Sequence, residues 1–210
     1  MPNKCLAIDD MLTLSRDDDS KIRLIAATAL NSILPEIPDK DQLWMDLMRL
    51  AKDSQRRIRF AAILALGSAY PYISSKDAAW KDLIGLAHNT DSRESPAIYH
   101  SLGRASVLNA TESKEKDQFK NCLQLAVEYF RRSSSGYYGC LGKFCYTFYR
   151  SYIAIIFENA SDEEVFNYLD DARKSVERSI VKEDFVEVIE NLAKAMLESR
   201  KIKLRAATPP

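Results

Sequence analysis

The chain has 210 residues, which is enough for one sizeable hydrophobic core or two small ones. Its 30 lysines and arginines equal its 30 aspartates and glutamates, so no overall charge favours a polyanionic partner. Glycine and proline are sparse, no run of about 18 apolar residues occurs, and residues 1–4 lack the apolar core of a signal peptide. This composition favours helices, argues against a membrane partner and predicts a cytoplasmic protein.

The first half of the chain repeats itself. The segment from Trp44 to Ala51 superposes on the segment from Trp80 to Ala87, a shift of 36 residues, and Ile22-Arg23 superposes on Ile58-Arg59 at the same shift. Repeats of this length are typical of helix pairs that stack on one another, because one pair cannot bury its apolar face alone. Residues 1–108 are therefore predicted to form one array of repeats.

Each unit is predicted to be a hairpin of two helices. Apolar residues recur at helical spacing from Leu43 to Ala51, which predicts a first helix over about 41–52. The turn at Asp53-Ser54 can cap the second helix, which is predicted over 54–70 and ends because Pro71 forbids continuation. That second helix is apolar on nearly every side, so it must be packed between neighbouring helices.

The repeating unit combines a first helix, an aspartate in the turn, the pair Ile-Arg, a run of small residues and an Ala-Leu-Gly ending. In these features it resembles a HEAT repeat. The residues that carry the resemblance are Asp53, Ile58, Arg59, Ala61, Ala62, Ala65, Leu66 and Gly67, with Asp19, Ile22, Arg23, Ala26, Ala27, Ala29 and Leu30 one unit earlier. The resemblance implies a short right-handed superhelix of antiparallel helix pairs, whose second helices line a concave surface. It also implies side-chain links between repeats, which would join Arg23 and Arg59 to Asp17, Asp19 and Asp53.

The third unit departs from this pattern. Glu94, Ser95 and Pro96 stand where the second unit has Ile-Arg-Phe. Because proline suits the first turn of a helix, the second helix of this unit is predicted to begin near Pro96.

Residues 109–203 are predicted to form further helices that continue the stack and cap it, which makes the whole fold all-α. The predicted bounds are about 113–132, 139–159, 161–179 and 183–202, and residues 204–210 are predicted to be a tail. The last two helices look like a hairpin that closes the C-terminal end. Three segments of this half resemble archaeal HEAT-repeat proteins of unassigned function, a family with no catalytic motif to carry over. They are Lys143-Phe144-Cys145, Phe148-Tyr149-Arg150-Ser151 and Glu190-Asn191-Leu192-Ala193.

No local pattern in the sequence indicates catalysis, a cofactor or a metal ion. The four cysteines lack the paired spacing of a zinc site and are predicted to be free thiols. His88 and His100 are interpreted as structural, and no histidine–glutamate pair, phosphate loop or nucleophile elbow occurs. The protein is therefore predicted not to be an enzyme.

The 36-residue register predicts which side of each second helix faces the concave surface. If Ile58, Ala62 and Leu66 face the core, the opposite side of the helix faces the concavity. The candidate partner-binding residues in this register are Leu24, Thr28, Asn31, Phe60, Leu64, Ser68, His100 and Arg104. A small, partly apolar surface of this kind is typical of an interaction site. A candidate basic patch beside it consists of Arg56, Arg57 and Arg93.

Two further features have competing interpretations. Trp44 and Trp80 occupy equivalent positions, which favours a shared packing role over stacking on nucleic-acid bases. Arg150 lies among aromatic residues, where an unpaired charge is costly. Its predicted partners lie on the following helix and are Glu163, Glu164, Asp170 and Asp171. The competing interpretation of Arg150 is a ligand pocket formed with Tyr137, Tyr138 and Tyr149.

Three functions are compatible with these features. The leading hypothesis is a non-enzymatic scaffold that holds a peptide or a protein helix on the concave face. The alternative is a nucleic-acid-binding protein of the type of the HEAT-like alkylpurine DNA glycosylases. The third is a small-molecule sensor that uses the tyrosine pocket near Arg150.

Overall fold

The computed structural model describes residues 3–89, 94–135, 139–177 and 182–207, with side chains described within 8–89, 94–135, 142–177 and 182–198. Every regular element in these residues is a helix, so the predicted all-α class is confirmed. Helices α1 to α5 are Asn3–Leu14, Ser20–Ile33, Lys40–Leu50, Arg56–Ala69 and Lys76–Asn89. Helices α6 to α10 are Ser95–Glu112, Lys116–Ser133, Gly139–Ile153, Asp162–Ser175 and Lys182–Ala207. None of these described helices combines the length and the apolar character that crossing a bilayer requires.

Some helix ends lie where the sequence predicts them, and others differ from the prediction. The Asp19 carboxylate accepts a hydrogen bond from the backbone N–H of Lys21 (2.8 Å) and caps α2. Asp53 does not cap α4 as predicted, because its carboxylate accepts from the backbone N–H of Gln55 within the turn before the helix. At the C-terminal end, α10 continues to Ala207, well into the segment predicted as a tail.

The second helices of the repeats lie side by side. α2 packs against α4 and α4 packs against α6, while each first helix packs on its own partner, as the repeat pattern predicts. From α6 onward the arrangement changes, because α6 packs extensively against α7, α7 against α8, and α8 against α9. Contact between α6 and α8 is slight, although a regular array would pair them. In the described residues, the second helices therefore pack against one another up to α6. From α6 to α9, each helix packs mainly against the next one in the chain.

Helix α4 is enclosed on almost every side. After Arg57 none of its residues is exposed. The buried ones are Ile58, Ala62, Ile63, Ala65, Leu66, Gly67 and Ala69. The predicted core positions Ile58, Ala62 and Leu66 are all among them, whereas Gly67, which the same register places on the concave face, is buried as well. Full burial of one Ile or Leu side chain contributes ~1.5–3 kcal/mol, which explains how the helix is stable without a polar face.

An arginine near the start of α2 ties the first repeat to the second. Arg23 Nε donates to Asp53 Oδ2 (2.7 Å), and its Nη1 donates to the backbone oxygen of Asp17 (2.9 Å). Asp19 serves α2 as a cap instead. Of the three aspartates that the sequence suggests, Asp53 supplies the carboxylate and Asp17 a carbonyl.

Arg59 repeats this geometry with a different carboxylate. Its Nη1 donates to the backbone oxygen of Asp53 (2.8 Å), and its Nε donates to Glu94 Oε2 (3.0 Å). Glu94 is only 4% exposed and stands where the second unit has Ile58. The departure of the third unit from the repeat pattern thus supplies the counter-charge of Arg59.

The two tryptophans lie between helices. Trp44 is buried in α3, and its indole N–H donates to Asp82 Oδ2 on α5 (2.9 Å). Trp80 is half-buried and meets the ring of Tyr129 on α7 edge to face at 6.1 Å. Both positions agree with the packing role that the sequence favours.

Two glycines set the spacing of α6 from its neighbours. A methyl group at Gly67 of α4 would lie 2.6 Å from Ser101 Oγ and 2.9 Å from Ser101 Cα. Ser101 Oγ also donates to the backbone oxygen of Ile63 (2.8 Å) across the same contact. On the other side of α6, a methyl group at Gly103 would lie 2.5 Å from the Phe130 ring of α7. Larger residues at either glycine would push the helices apart.

Candidate functional site

We call the solvent-facing side of α2, α4 and α6 the second-helix face. Thr28, Asn31 and Arg104, three of the predicted partner-binding residues, are exposed. The other five are half-buried, namely Leu24, Phe60, Leu64, Ser68 and His100. Phe60 and Leu64 also pack against the core, so they offer a partner less surface than the sequence suggests.

One residue that the sequence reasoning missed is apolar and prominent on this face. Ile25 lies one helical turn before Thr28 on α2 and is 64% exposed. The equivalent positions on α4 and α6 are alanines, which are half-buried and buried. Ile25 is therefore an exposed apolar side chain of α2 at a position that is covered in α4 and α6, and the repeat register alone could not distinguish it from those alanines.

Helices α2 and α4 contain cations but no carboxylate, and residues outside them neutralise part of that charge. α2 and α4 contain five lysines and arginines and no aspartate or glutamate. Arg23 and Arg59 are neutralised by the ion pairs described above. Arg56 lies 3.9 Å from the same buried glutamate that binds Arg59. Arg57 is exposed, and Arg93, the third member of the predicted basic patch, lies outside the described residues.

Arg104 joins α6 to α4 within this face. Its Nη1 donates to Ser68 Oγ (2.7 Å), so the structure brings together two of the predicted partner-binding residues. Among the described residues no carboxylate forms an ion pair with Arg104, in contrast to Arg23 and Arg59. Its side chain reaches solvent, yet the burial of its surroundings lowers the pKa of the guanidinium.

A cavity of about 410 Å³ lies beside Arg104, between α6, α7, α8 and α10. Its lining residues are His100, Arg104, Val107, Phe130, Cys145, Tyr149 and Phe185. The three residues from α6 follow the spacing i, i+4, i+7, and the two from α8 follow i, i+4, so each helix presents one stripe to the cavity. We call this space the α6–α8 cavity.

His100 has an unsatisfied nitrogen in this cavity. Its Nδ1 is buried and has no hydrogen-bond partner, and its ring lies 5.6 Å from that of Phe130. Burial, and secondarily the charge of Arg104, lower the pKa of His100 to about 4. At neutral pH the imidazole is therefore uncharged and keeps one unmet hydrogen-bonding capacity.

Cys145 and Tyr149 are both protonated at neutral pH. Burial raises the pKa of each to about 12, although the nearby Arg104 charge opposes the shift. The Tyr149 ring stacks on Phe130 with centroids 5.6 Å apart. Since a thiolate rather than a thiol is the nucleophile, Cys145 is not activated for covalent chemistry. Among the described residues that line the cavity, Arg104 alone is charged at pH 7.

The described residues that line this cavity can bind a ligand through one cation, uncharged polar groups and apolar walls. The lining residues include no aspartate or glutamate that could act as a general base beside the uncharged His100. Across the described ranges, no group of three His, Cys, Asp or Glu residues is placed to hold a metal ion. What the cavity offers is one cation, several uncharged donors and apolar walls.

One residue of the predicted tyrosine pocket, Arg150, lies elsewhere. Arg150 does not line the α6–α8 cavity, although Tyr149 beside it does. Its guanidinium binds Glu158 (2.5 Å) and approaches Glu164 (3.7 Å), and it lies over the Tyr168 ring. Of the predicted carboxylate partners Glu164 is present, and Glu158 was missed. Tyr137 and Tyr138 lie outside the described residues.

Four of the cavity's lining residues were not predicted from the sequence as site residues. They are Val107, Phe130, Cys145 and Phe185. The density of aromatic residues in α8 was the one available signal, and it indicated a buried helix rather than a cavity. No family model, no curated protein and no solved structure matches the chain, so the resemblance to HEAT repeats stays a prediction.

Proposed function

We propose that the protein is a non-enzymatic interaction module that binds an acidic, partly apolar peptide segment on the second-helix face. The observation that carries this proposal is the composition of α2 and α4, which present cations and an exposed isoleucine but contain no carboxylate. On such a surface the cations attract an acidic partner, and apolar side chains of that partner cover Ile25. The right-handed superhelix implied by the HEAT resemblance belongs to this proposal, since it would curve the face around the peptide.

The charge on this face suits a peptide better than a nucleic acid. Pairing with carboxylates leaves Lys21, Arg57 and Arg104 as the cations of the three helices without an ion pair in the described part of the chain. Proteins that grip duplex DNA typically contact ~6–10 phosphates. These cations and the exposed Ile25 instead match glutamates and leucines that alternate along a peptide.

The test compares two aspartate substitutions at equally exposed positions. Ile25→Asp changes the second-helix face, while Met45→Asp changes a side chain on α3 that is 62% exposed, against 64% for Ile25. The probes are fluorescein-labelled peptides rich in glutamate and leucine, with lysine-for-glutamate versions as charge controls, measured by fluorescence anisotropy. We expect Ile25→Asp to weaken binding at least about tenfold, because it removes apolar contact worth ~1.5 kcal/mol or more and repels the glutamates. Met45→Asp should bind as the native chain does.

Other results lead to other conclusions. Equal loss in both variants, or equal affinity for the lysine peptides, contradicts the proposal. Binding of a short DNA duplex without peptide binding, with an affinity that falls steeply as salt rises, supports the nucleic-acid alternative instead. Phe60→Asp and Leu64→Asp are poor probes, because both residues pack against the core and their loss would destabilise the fold.

A further inference from the structure

We propose that the α6–α8 cavity binds a small monocarboxylate that carries an apolar body, with Arg104 as the anchor of the carboxylate. This site shares Arg104 with the second-helix face but does not depend on peptide binding at Ile25. The proposal rests on the unpaired guanidinium, the unmet imidazole nitrogen and the apolar walls, which surround one space.

An anion would complement the positive charge that Arg104 brings to the cavity. Arg104 gives one N–H to Ser68 Oγ, and no carboxylate of the described residues accepts from its other N–H groups. Cys145 and Tyr149 stay protonated and supply no negative charge. A bound carboxylate would accept charge-assisted hydrogen bonds from the free edge of the guanidinium, whose planar fork matches the two carboxylate oxygens.

One negative charge fits better than two. His100 is uncharged at neutral pH, so Arg104 alone faces the ligand's charge. A phosphate with nearly two negative charges would leave an unbalanced charge in surroundings that are largely apolar, which is costly. A carboxylate leaves the pair neutral. The Tyr149 hydroxyl and the unpartnered His100 Nδ1 remain for a further polar atom of the ligand.

The remaining walls select an apolar body. Val107, Phe130 and Phe185 present hydrocarbon surface to the cavity, beside the ring of Tyr149. A volume of about 410 Å³ lies near the lower end of the range of ligand pockets, which is roughly 300–1,000 Å³. A short aliphatic or a single-ring carboxylic acid is therefore the expected class of ligand.

The first experiment needs no variant. Binding of hexanoate, octanoate and 3-phenylpropionate to the full chain is measured by saturation-transfer NMR and calorimetry, beside hexanamide and hexylammonium. Hexanoate should bind saturably, and hexanamide about 10- to 100-fold more weakly, since it loses the charge-assisted hydrogen bonds. Equal affinities of hexanoate and hexanamide, or no saturable binding by any of the three acids, would overturn the proposal.

The second experiment locates the ligand. Arg104→Met should reduce hexanoate affinity to that of hexanamide, while Arg57→Met, which removes an exposed cation outside the cavity, should leave it unchanged. Val107→Trp should abolish binding by filling the cavity without changing its charge. Persistence of hexanoate binding in both Arg104→Met and Val107→Trp places the ligand elsewhere and rejects the site. Ile25→Asp should retain hexanoate binding, so failure of the peptide proposal and failure of the cavity proposal are distinguishable.

Discussion

Replacing Gly67 by alanine should destabilise the protein, although the same change in most helices has the opposite effect. Alanine is favoured over glycine within a helix by ~1 kcal/mol, because glycine loses more backbone freedom on folding. At Gly67 the added methyl group would lie 2.6 Å from Ser101 Oγ, 2.8 Å from its Cβ and 2.9 Å from its Cα. The hydroxyl can rotate away, but Cα belongs to the backbone of α6, so the two helices must separate.

Gly85 of α5 provides the matched control. A methyl group there would meet no atom within 4 Å, so Gly85→Ala should gain the helix propensity alone and stabilise the protein by ~0.5–1 kcal/mol. Both substitutions share the propensity gain, so the difference between them isolates the cost of the clash. Overpacking of a tight contact typically costs ~1–3 kcal/mol, and we expect the two unfolding free energies to differ by that amount.

Urea unfolding followed by far-ultraviolet circular dichroism measures this difference. The midpoint should shift to lower urea for Gly67→Ala and to higher urea for Gly85→Ala, with similar slopes for both. A Gly67→Ala protein as stable as the Gly85→Ala protein would show that α4 and α6 do not approach closely at Gly67.

Two further predictions concern buried charge. Glu94→Gln leaves Arg59 without its carboxylate and should lower the unfolding free energy by about 3 kcal/mol. Glu128→Gln, at an exposed ion pair, should change the unfolding free energy by less than about 1 kcal/mol. Urea unfolding compares the two variants, and equal small effects would contradict the burial of Glu94. The pKa of His100 is lowered to about 4 in the folded chain, so its contribution to stability is complete above pH ~6.5 and is lost as the pH falls towards 4. Over that window the native chain should lose up to ~1.4 kcal/mol per pH unit more than His100→Gln, and parallel pH profiles would contradict the burial of the imidazole.

The sequence predicted those features that depend on local spacing. The core positions of α4 follow from helical periodicity. The HEAT resemblance implies links from Arg23 and Arg59 to three aspartates, and Asp53, which binds Arg23, is one of them. Glu94 escaped prediction because it lies five residues further along than the repeat would place a partner for Arg59. The sequence showed that Glu94 replaces the isoleucine of the repeat pattern, but it did not show that Glu94 binds Arg59.

The α6–α8 cavity could not be predicted for a different reason. Its walls come from four helices, and from α6 to α9 each helix packs mainly against the next one in the chain, unlike the second helices of the repeats. No periodicity in the sequence predicts this change in which helices pack against each other. The register correctly grouped Ser68 with Arg104, but it placed both on an open surface and gave no sign that α8 and α10 enclose one side of Arg104.

The hydrogen bond between Arg104 and Ser68 has a consequence for how the two proposed sites affect each other. It joins a residue of the α6–α8 cavity to a residue of the second-helix face. An anion that draws the guanidinium towards the cavity would free the Ser68 hydroxyl on α4, and a peptide that engages Ser68 would alter the position of Arg104. By thermodynamic linkage, each ligand must then change the affinity of the other by the same factor. Measured in either direction, that factor reports on how strongly the two sites are coupled through Arg104 and its hydrogen bond to Ser68.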